Sequence, residues 1–235
     1  MSNIPYKSVS YVIDPPPRAE LHVKGSEQLF PVNRVFCIGR NYAAHAVEMG
    51  HDPDREPPFF FCKNLDNITS DGIFPYPAET NSVDYEIELI VALGKGGTKI
   101  SEVDALSYVW GYGVGLDMTR RDLQAEAKKL GRPWEVAKSF DKSAPCSSVV
   151  SASIIGHPTS GAITLDVNGH RHQEGDLNQM IWKVPEIIAV LSRYLELQPG
   201  DIIMTGTPAG VGKIVKGDLM EGNIDGIGSL SVRVT

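Results

Sequence analysis

An α+β fold, mainly β, follows from three features of the sequence. Short apolar runs bounded by Gly, Pro, Asn or Asp recur from Arg34 to Val234. Only a few stretches carry helical spacing. Asn168-Gly169, set between two strand-like runs, is the strongest hairpin signal in the chain.

The 235 residues suit one large domain with a short appendage. Residues 1–30 contain Asp14-Pro15-Pro16-Pro17 and the alternating run Ala19-Glu20-Leu21-His22-Val23, and are expected to form an arm or small appended sheet. This leaves 31–235 as the main domain. The 22 basic and 29 acidic residues give a net charge of -7, which argues against nucleic-acid or anionic-membrane partners. The longest apolar runs, such as Leu89 to Leu93, are far short of a membrane span, and Met1-Ser2-Asn3-Ile4-Pro5 lacks a basic-then-apolar signal. A cytoplasmic location is therefore expected. Cys37, Cys62 and Cys146 are scattered, with no Cys-x-x-Cys pair, and are expected to be small, buried, reduced side chains.

Taken in order, Arg34 to Ile38 reads as a strand, and Gly39 to Tyr42 as a turn with Asn41 as a helix cap. Ala43 to Met49 is helical and stopped by Gly50, and the polar run Gly50 to Glu56 beside it suits a lid. Pro58 to Asn64 is a buried strand whose end presents Lys63. The strand Asp84 to Leu93 puts Glu86, Glu88, Ile90 and Ala92 on one face, so an acidic patch gives way to an apolar one. Tyr108 to Leu116, apolar and punctuated by glycine, is a buried strand ending at Asp117. Thr119-Arg120-Arg121-Asp122 resembles a capping box, with Thr119 as cap of a helix that runs to Leu130 and stops at Gly131 and Pro133. Ala162 to Val167 pairs through the Asn168-Gly169 turn with His170 to Gln173. Pro185 opens another helix, whose stripe of Ile187, Ile188, Leu191, Tyr194 and Leu195 supports the core. Ile202 to Met204 and Leu230 to Val234 complete the strands.

Several elements carry chemistry. His45 and Glu48, three apart on one helix face, can form a general base held by a carboxylate, or only a surface pair. Glu86 and Glu88 can ligate a metal, or face water from a half-buried strand. Asp117 can join them, or serve as a cap or turn residue. Together the three offer hard oxygen ligands without thiolate or imidazole, which favours Mg²⁺, with Mn²⁺ or Ca²⁺ as alternatives, over zinc. Lys63 can face an anion or snorkel to the surface. Lys138 sits among apolar neighbours between Pro133 and Asp141, which implies an anion beside it, because an unpaired buried cation is costly. The loop Thr205 to Gly212 can cradle a carboxylate or phosphate with its amides and hydroxyls, and is neither a P-loop nor a dinucleotide fingerprint.

Five segments then stand in one order: Gly39-Arg40-Asn41-Tyr42 with His45 and Glu48, Glu86-Ile87-Glu88, Gly115 to Asp122, Lys138-Ser139-Phe140-Asp141, and Thr205-Gly206-Thr207-Pro208. In that order they resemble the signatures of the fumarylacetoacetate hydrolase family, over nearly the whole span from Val35 to Val234. Gly50 to Phe61 and Arg120 to Gln124 are most similar to the short acylpyruvases, the fumarylpyruvate hydrolases of gentisate breakdown. One departure is Asn64, where these enzymes usually carry a proline after the lysine. The resemblance implies mixed β-sheets rolled into a compact β-structure with a few flanking helices, usually as a homodimer, with 31–235 as the catalytic domain. It implies a Mg²⁺ or Mn²⁺ site at Glu86, Glu88 and Asp117, catalytic roles for His45, Glu48 and Lys138, and substrate contacts from Arg40, Tyr42, Lys63, Arg121, Gln124 and Thr207. The implied reaction is cleavage of the carbon–carbon bond of an acylpyruvate, best matched by 3-fumarylpyruvate giving fumarate and pyruvate. There His45 and Glu48 activate water while the metal stabilises the enolate of pyruvate, a small 2-oxo acid. Decarboxylation or keto–enol tautomerisation of oxaloacetate or a related dioxo acid uses the same site and is the implied alternative. A non-catalytic binding protein of the same fold is a third, disfavoured by the complete residue set.

Overall fold

The computed structural model describes residues 10–48 and 56–235. A six-stranded sheet runs Val150–Ser151, Val109–Leu116, Ile87–Leu93, Asp201–Met204, Arg34–Ile38, Phe60–Lys63. Within it only Asp201–Met204 and Arg34–Ile38 pair in parallel. A five-stranded sheet orders His170–Asp176, Ala162–Val167, Leu219–Ile224, Gly228–Val234 and Ile73–Phe74. Its first two strands form the predicted hairpin, with Asn168 and Gly169 both at positive φ (52° and 78°), as a two-residue turn of that kind requires. These mixed sheets with few helices are the predicted fold class.

Ile87–Leu93 lies inside the six-stranded sheet and is buried along its whole length. Ile87, Leu89, Val91 and Leu93 join the large core with Ile163, Leu165, Ile224 and Val232 of the five-stranded sheet. Ile90 and Ala92 face the other way, packing with Val35, Cys37, Ile202 and Met204 and with Leu21 and Phe30 of the small sheet Glu20–His22/Leu29–Pro31. A strand covered on both faces has no need of polar alternation, which explains the unbroken apolar run. Each such Leu or Ile contributes roughly 1.5–3 kcal/mol on burial.

The structure corrects four expectations. The run from Asp84 to Leu93 is two strands: Val83–Tyr85 belongs to a three-stranded sheet with Thr119–Arg120 and Gly212–Ile214, and Ile87–Leu93 to the six-stranded one. The chain changes sheets at Glu86 because the Ile87 amide donates to the Gln173 side chain (3.0 Å) and the Glu86 carbonyl accepts from the Asp117 amide (2.8 Å). Thr119 does not cap the helix Arg121–Leu130; it lies in a short strand, and Arg120 occupies the cap position without a side-chain bond. Asn41 is no cap either. Its buried side chain donates to the Trp182 and Thr205 carbonyls and accepts from the Trp182 amide, tying three segments together. Cys62 is exposed, whereas Cys37 and Cys146 are buried, because Cys62 sits on the edge strand Phe60–Lys63.

The helix Arg121–Leu130 stops at Gly131 as expected. Val184–Tyr194 buries Ile187, Ile188 and Leu191, but Tyr194 and Leu195 are exposed where it ends. The predicted helix end at Met49 and Gly50, and all of the predicted lid except Glu56, lie outside the described residues. No helix among the described residues is long and apolar enough to cross a membrane.

Candidate active site

The strand ends converge on three carboxylates. Glu86 stands at the sheet change, Glu88 is the second residue of the next strand, and Asp117 directly follows Val109–Leu116, which pairs with that strand. Each offers an oxygen within 4.8 Å of the others, and their exposures are 5%, 2% and 1%. Lys138 Nζ donates to Glu86 Oε2 and Asp117 Oδ2, both at 2.7 Å, and to Thr119 Oγ1 at 2.7 Å. Burial disfavours the Lys138 ammonium, yet Asp117 and Glu86 outweigh it and hold the group above its usual range. Its three donors are spent inside the protein, so Lys138 is a fixed positive charge.

Charge around the three is uneven. Burial works against ionised Glu86, but Lys138 and Arg121 prevail and keep its carboxyl well below the usual range. Among the described residues Glu88 has no cation partner and accepts only the Gly206 amide (2.8 Å), and burial, with Asp117 and Glu86 nearby, pushes its carboxyl well up. Gly206 sits at φ 91°, where a Cβ would meet Asn41 Cβ at 2.7 Å, so this amide contact needs glycine. Asp117 Oδ1 has Lys63 Nζ at 2.8 Å, outside hydrogen-bond alignment. Three buried carboxylates, one of them without a counter-charge among the described residues, fit a hard divalent cation, and the all-oxygen donor set agrees.

His45 lies on the helix Ala43–Glu48, 6% exposed, and lines the same cavity as the carboxylates. Its Nδ1 is 3.2 Å from Glu48 Oε2, and the Gly210 amide donates to both Glu48 oxygens at 3.1 and 3.2 Å. A carboxylate can only accept, so with the ring neutral the proton sits on Nδ1 and Nε2 is left as a base.

The predicted substrate contacts divide. Arg40, Arg121, Gln124 and Thr207 line the cavity. Tyr42 is 1% exposed and does not line it; its hydroxyl has no hydrogen-bond partner among the described residues, and burial, then Glu88, raises its pKa. Lys63 is buried behind Asp117, among the Lys138 carbonyl, the Met118 carbonyl (3.4 Å) and Ser143 Oγ (3.1 Å). Arg121 is committed to Asp84 (2.7 Å), Glu86 (2.6 Å) and Gln124 Oε1 (2.8 Å). The last bond leaves the amide N–H groups of Gln124 for the cavity.

Two groups at the site carried no advance signal. Gln173, fully buried, accepts from the Ile87 amide and donates to the Pro208 carbonyl (2.8 Å) and Thr207 Oγ1 (2.8 Å). The two backbone partners fix its orientation, and Thr207, already an acceptor, keeps its own proton to donate. Phe59, Phe61 and Trp134 form an aromatic wall, with Trp134 5.4 Å from Phe59 and 5.9 Å from Phe61 between ring centroids. A third group, Lys128, was legible: it follows Gln124 by four residues and Arg121 by seven, on the same helix face.

Residues 34–235 match the family model described as fumarylacetoacetate (FAA) hydrolase C-terminal. The fumarylpyruvate hydrolase of Ralstonia sp is 43% identical over 189 residues, 79% of this chain and 98% of that protein. The mitochondrial oxaloacetate tautomerase of Mus musculus is 42% identical over 200 residues, 85% of this chain and 90% of that protein. The crystal structure of fumarylpyruvate hydrolase from Pseudomonas aeruginosa, in complex with Mn²⁺ and pyruvate, superposes with a TM-score of 0.94 at 51% identity, covering 96% of this chain and 99% of that one. Glu86, Glu88 and Asp117 are placed so that they could hold a divalent metal, and that neighbour carries Mn²⁺. The chain belongs to the fumarylacetoacetate hydrolase family and is one of its enzymes.

Proposed function

We propose that the protein is a Mg²⁺-dependent acylpyruvate hydrolase that cleaves 3-fumarylpyruvate to fumarate and pyruvate. The observation that carries this reading is that His45, with Glu48 on its Nδ1, and the three carboxylates line one cavity, a base for water beside a site for a chelated 2-oxo acid; of these only Glu48 stands off the cavity, behind the ring. When bound, Mg²⁺ supplies Lewis-acid polarisation of substrate oxygens. The chain's own groups do the rest. Glu48, held by the Gly210 amide, orients His45, whose Nε2 takes a proton from water as the water oxygen attacks the acyl carbonyl. Gln124 and Thr207 present donors to oxygens that gain negative charge, and Lys138 adds a fixed positive field. The bond from the acyl carbon to C3 of the pyruvate half then breaks. Its electron pair stays with C3, which takes the proton from His45. We further assign the protein to gentisate breakdown as a cytoplasmic homodimer; light scattering that gave one chain per particle would remove the dimer.

A second reading is favoured by the tautomerase relative, whose 42% identity matches that of the hydrolase at 43%. In keto–enol exchange of oxaloacetate, or its decarboxylation, no water nucleophile is needed, and His45 would at most move a proton at C3. The deciding experiment compares pyruvate release from 3-fumarylpyruvate and acetylpyruvate with conversion of oxaloacetate, using Mg²⁺-loaded wild type and His45→Ala. Pyruvate release that falls by about 10²–10⁴ in the variant is the expected result. Rapid oxaloacetate conversion without pyruvate release from any acylpyruvate would put the second reading in its place.

A further inference from the structure

Four of the cavity's nearest cations already have anionic partners. Arg121 and Lys138 hold Glu86, Lys63 faces Asp117, and Arg40 is 3.7 Å from Glu56. Lys128 differs from all of them. It lines the same cavity on the helix face that carries Arg121 and Gln124, it is half-buried, and it has no ion pair or hydrogen bond among the described residues. Its ammonium lies 5.1 Å from the centroid of the Trp134 ring, on the aromatic wall.

That placement is unfavourable for an isolated cation. Burial, then the charges of Arg121 and Arg40, pull the Lys128 ammonium down to about 8. The face of Trp134 compensates only in part, since a cation over a ring gains less than one paired with an anion. A carboxylate delivered by a ligand would remove the deficit, and in a cavity with an apolar wall the pair is less screened than in water.

We propose that Lys128 binds the distal carboxylate of a dicarboxylic 2-oxo acid, and so selects an acidic acyl end over a neutral one. The proposal rests on the reading of this cavity as a 2-oxo acid site. The metal carboxylates and His45 serve the 2-oxo end, the aromatic wall takes the hydrocarbon between the two ends, and Lys128 meets the far charge. Lys128 is then a specificity residue and takes no part in bond breaking.

The test is calorimetric and needs no turnover. Mg²⁺-loaded wild type, Lys128→Met and Lys128→Arg are titrated with 2-oxoheptanedioate, which matches 3-fumarylpyruvate in length, and with 2-oxoheptanoate, which lacks the distal carboxylate. Wild type is expected to bind the diacid about tenfold or more tightly than the monoacid, the size of one charge-assisted contact. Lys128→Met abolishes that preference and leaves monoacid affinity within about twofold, and Lys128→Arg keeps most of it. The proposal is overturned if wild type binds both ligands alike, if the preference survives in Lys128→Met, or if that variant weakens both equally. Should the preference collapse as expected in a protein that releases no pyruvate from acylpyruvates, Lys128 keeps its role and only the assigned reaction falls.

Discussion

The floor of the cavity rests on strand ends whose three carboxylates are at most 5% exposed, while its rim hangs on the six-residue helix Ala43–Glu48, the outer face of Arg121–Leu130 and the chain around Arg40. On the floor, Glu86 and Asp117 each meet two cations that the fold itself supplies. On the rim, Glu48 is a third exposed, Arg40 is nearly as open, and Lys128 has, among the described residues, only a ring for company. Electrostatics explains the difference. A floor that must hold its shape before a ligand arrives balances most of its own charge, whereas a rim that recognises a ligand leaves part of its charge unbalanced.

The sharpest way to break this contrast is at the floor. Lys138→Met leaves Glu86 and Asp117 buried without the cation between them, and should cost about 3–5 kcal/mol in urea unfolding of metal-free protein. Saturating Mg²⁺ should recover part of that loss, since it binds only the folded state. A loss under about 1 kcal/mol, or one that Mg²⁺ does not reduce, would mean that the floor is not charge-balanced as described.

A smaller effect is expected at the rim. Gly210 has φ 94°, and a Cβ there would meet the His172 carbonyl oxygen at 2.1 Å. Gly210→Ala must therefore displace the amide that holds Glu48, lowering kcat about ten- to hundredfold as the orientation of His45 loosens. KM should change little. Wild-type kcat in this variant would show that the amide contact does not matter to the base.

The smallest effect concerns Asn64. Its φ of -71° already suits proline, but its amide donates to Asn67 Oδ1 (3.0 Å) and Ser139 Oγ (2.9 Å), which proline cannot do. Loss of those bonds and the stiffer unfolded chain nearly offset, so Asn64→Pro should shift stability by less than about 1 kcal/mol. Acylpyruvate turnover should hold. A large fall in turnover would mean that this segment governs the floor through the neighbouring Lys63.

What the sequence revealed was local spacing. His45 and Glu48 three apart, Glu86 and Glu88 two apart, and Asp117 at the end of an apolar run could all be seen as candidates, and the structure brings His45 and the last three to one cavity, with Glu48 on the His45 ring. The sheet change at Glu86 was hidden because acids and apolar residues alternate on either side of it, from Asp84 to Glu88, so the pattern could not show where the strand began. Gln173 was hidden for another reason: its partners Ile87 and Thr207 are 86 and 34 residues away, and no spacing rule spans such distances. Thr119 looked like a cap in sequence because Ser and Thr commonly cap helices, yet its hydroxyl was needed at Lys138.

The loop from Thr205 to Gly212 has a consequence of its own. One of its amides, at Gly206, reaches Glu88 and another, at Gly210, reaches Glu48, with the Thr207 hydroxyl between them. Four residues of backbone thus act as a ruler between the carboxylate at Glu88 and the His45–Glu48 pair. A single inserted residue would lengthen that ruler, uncouple the two ends and leave each intact on its own.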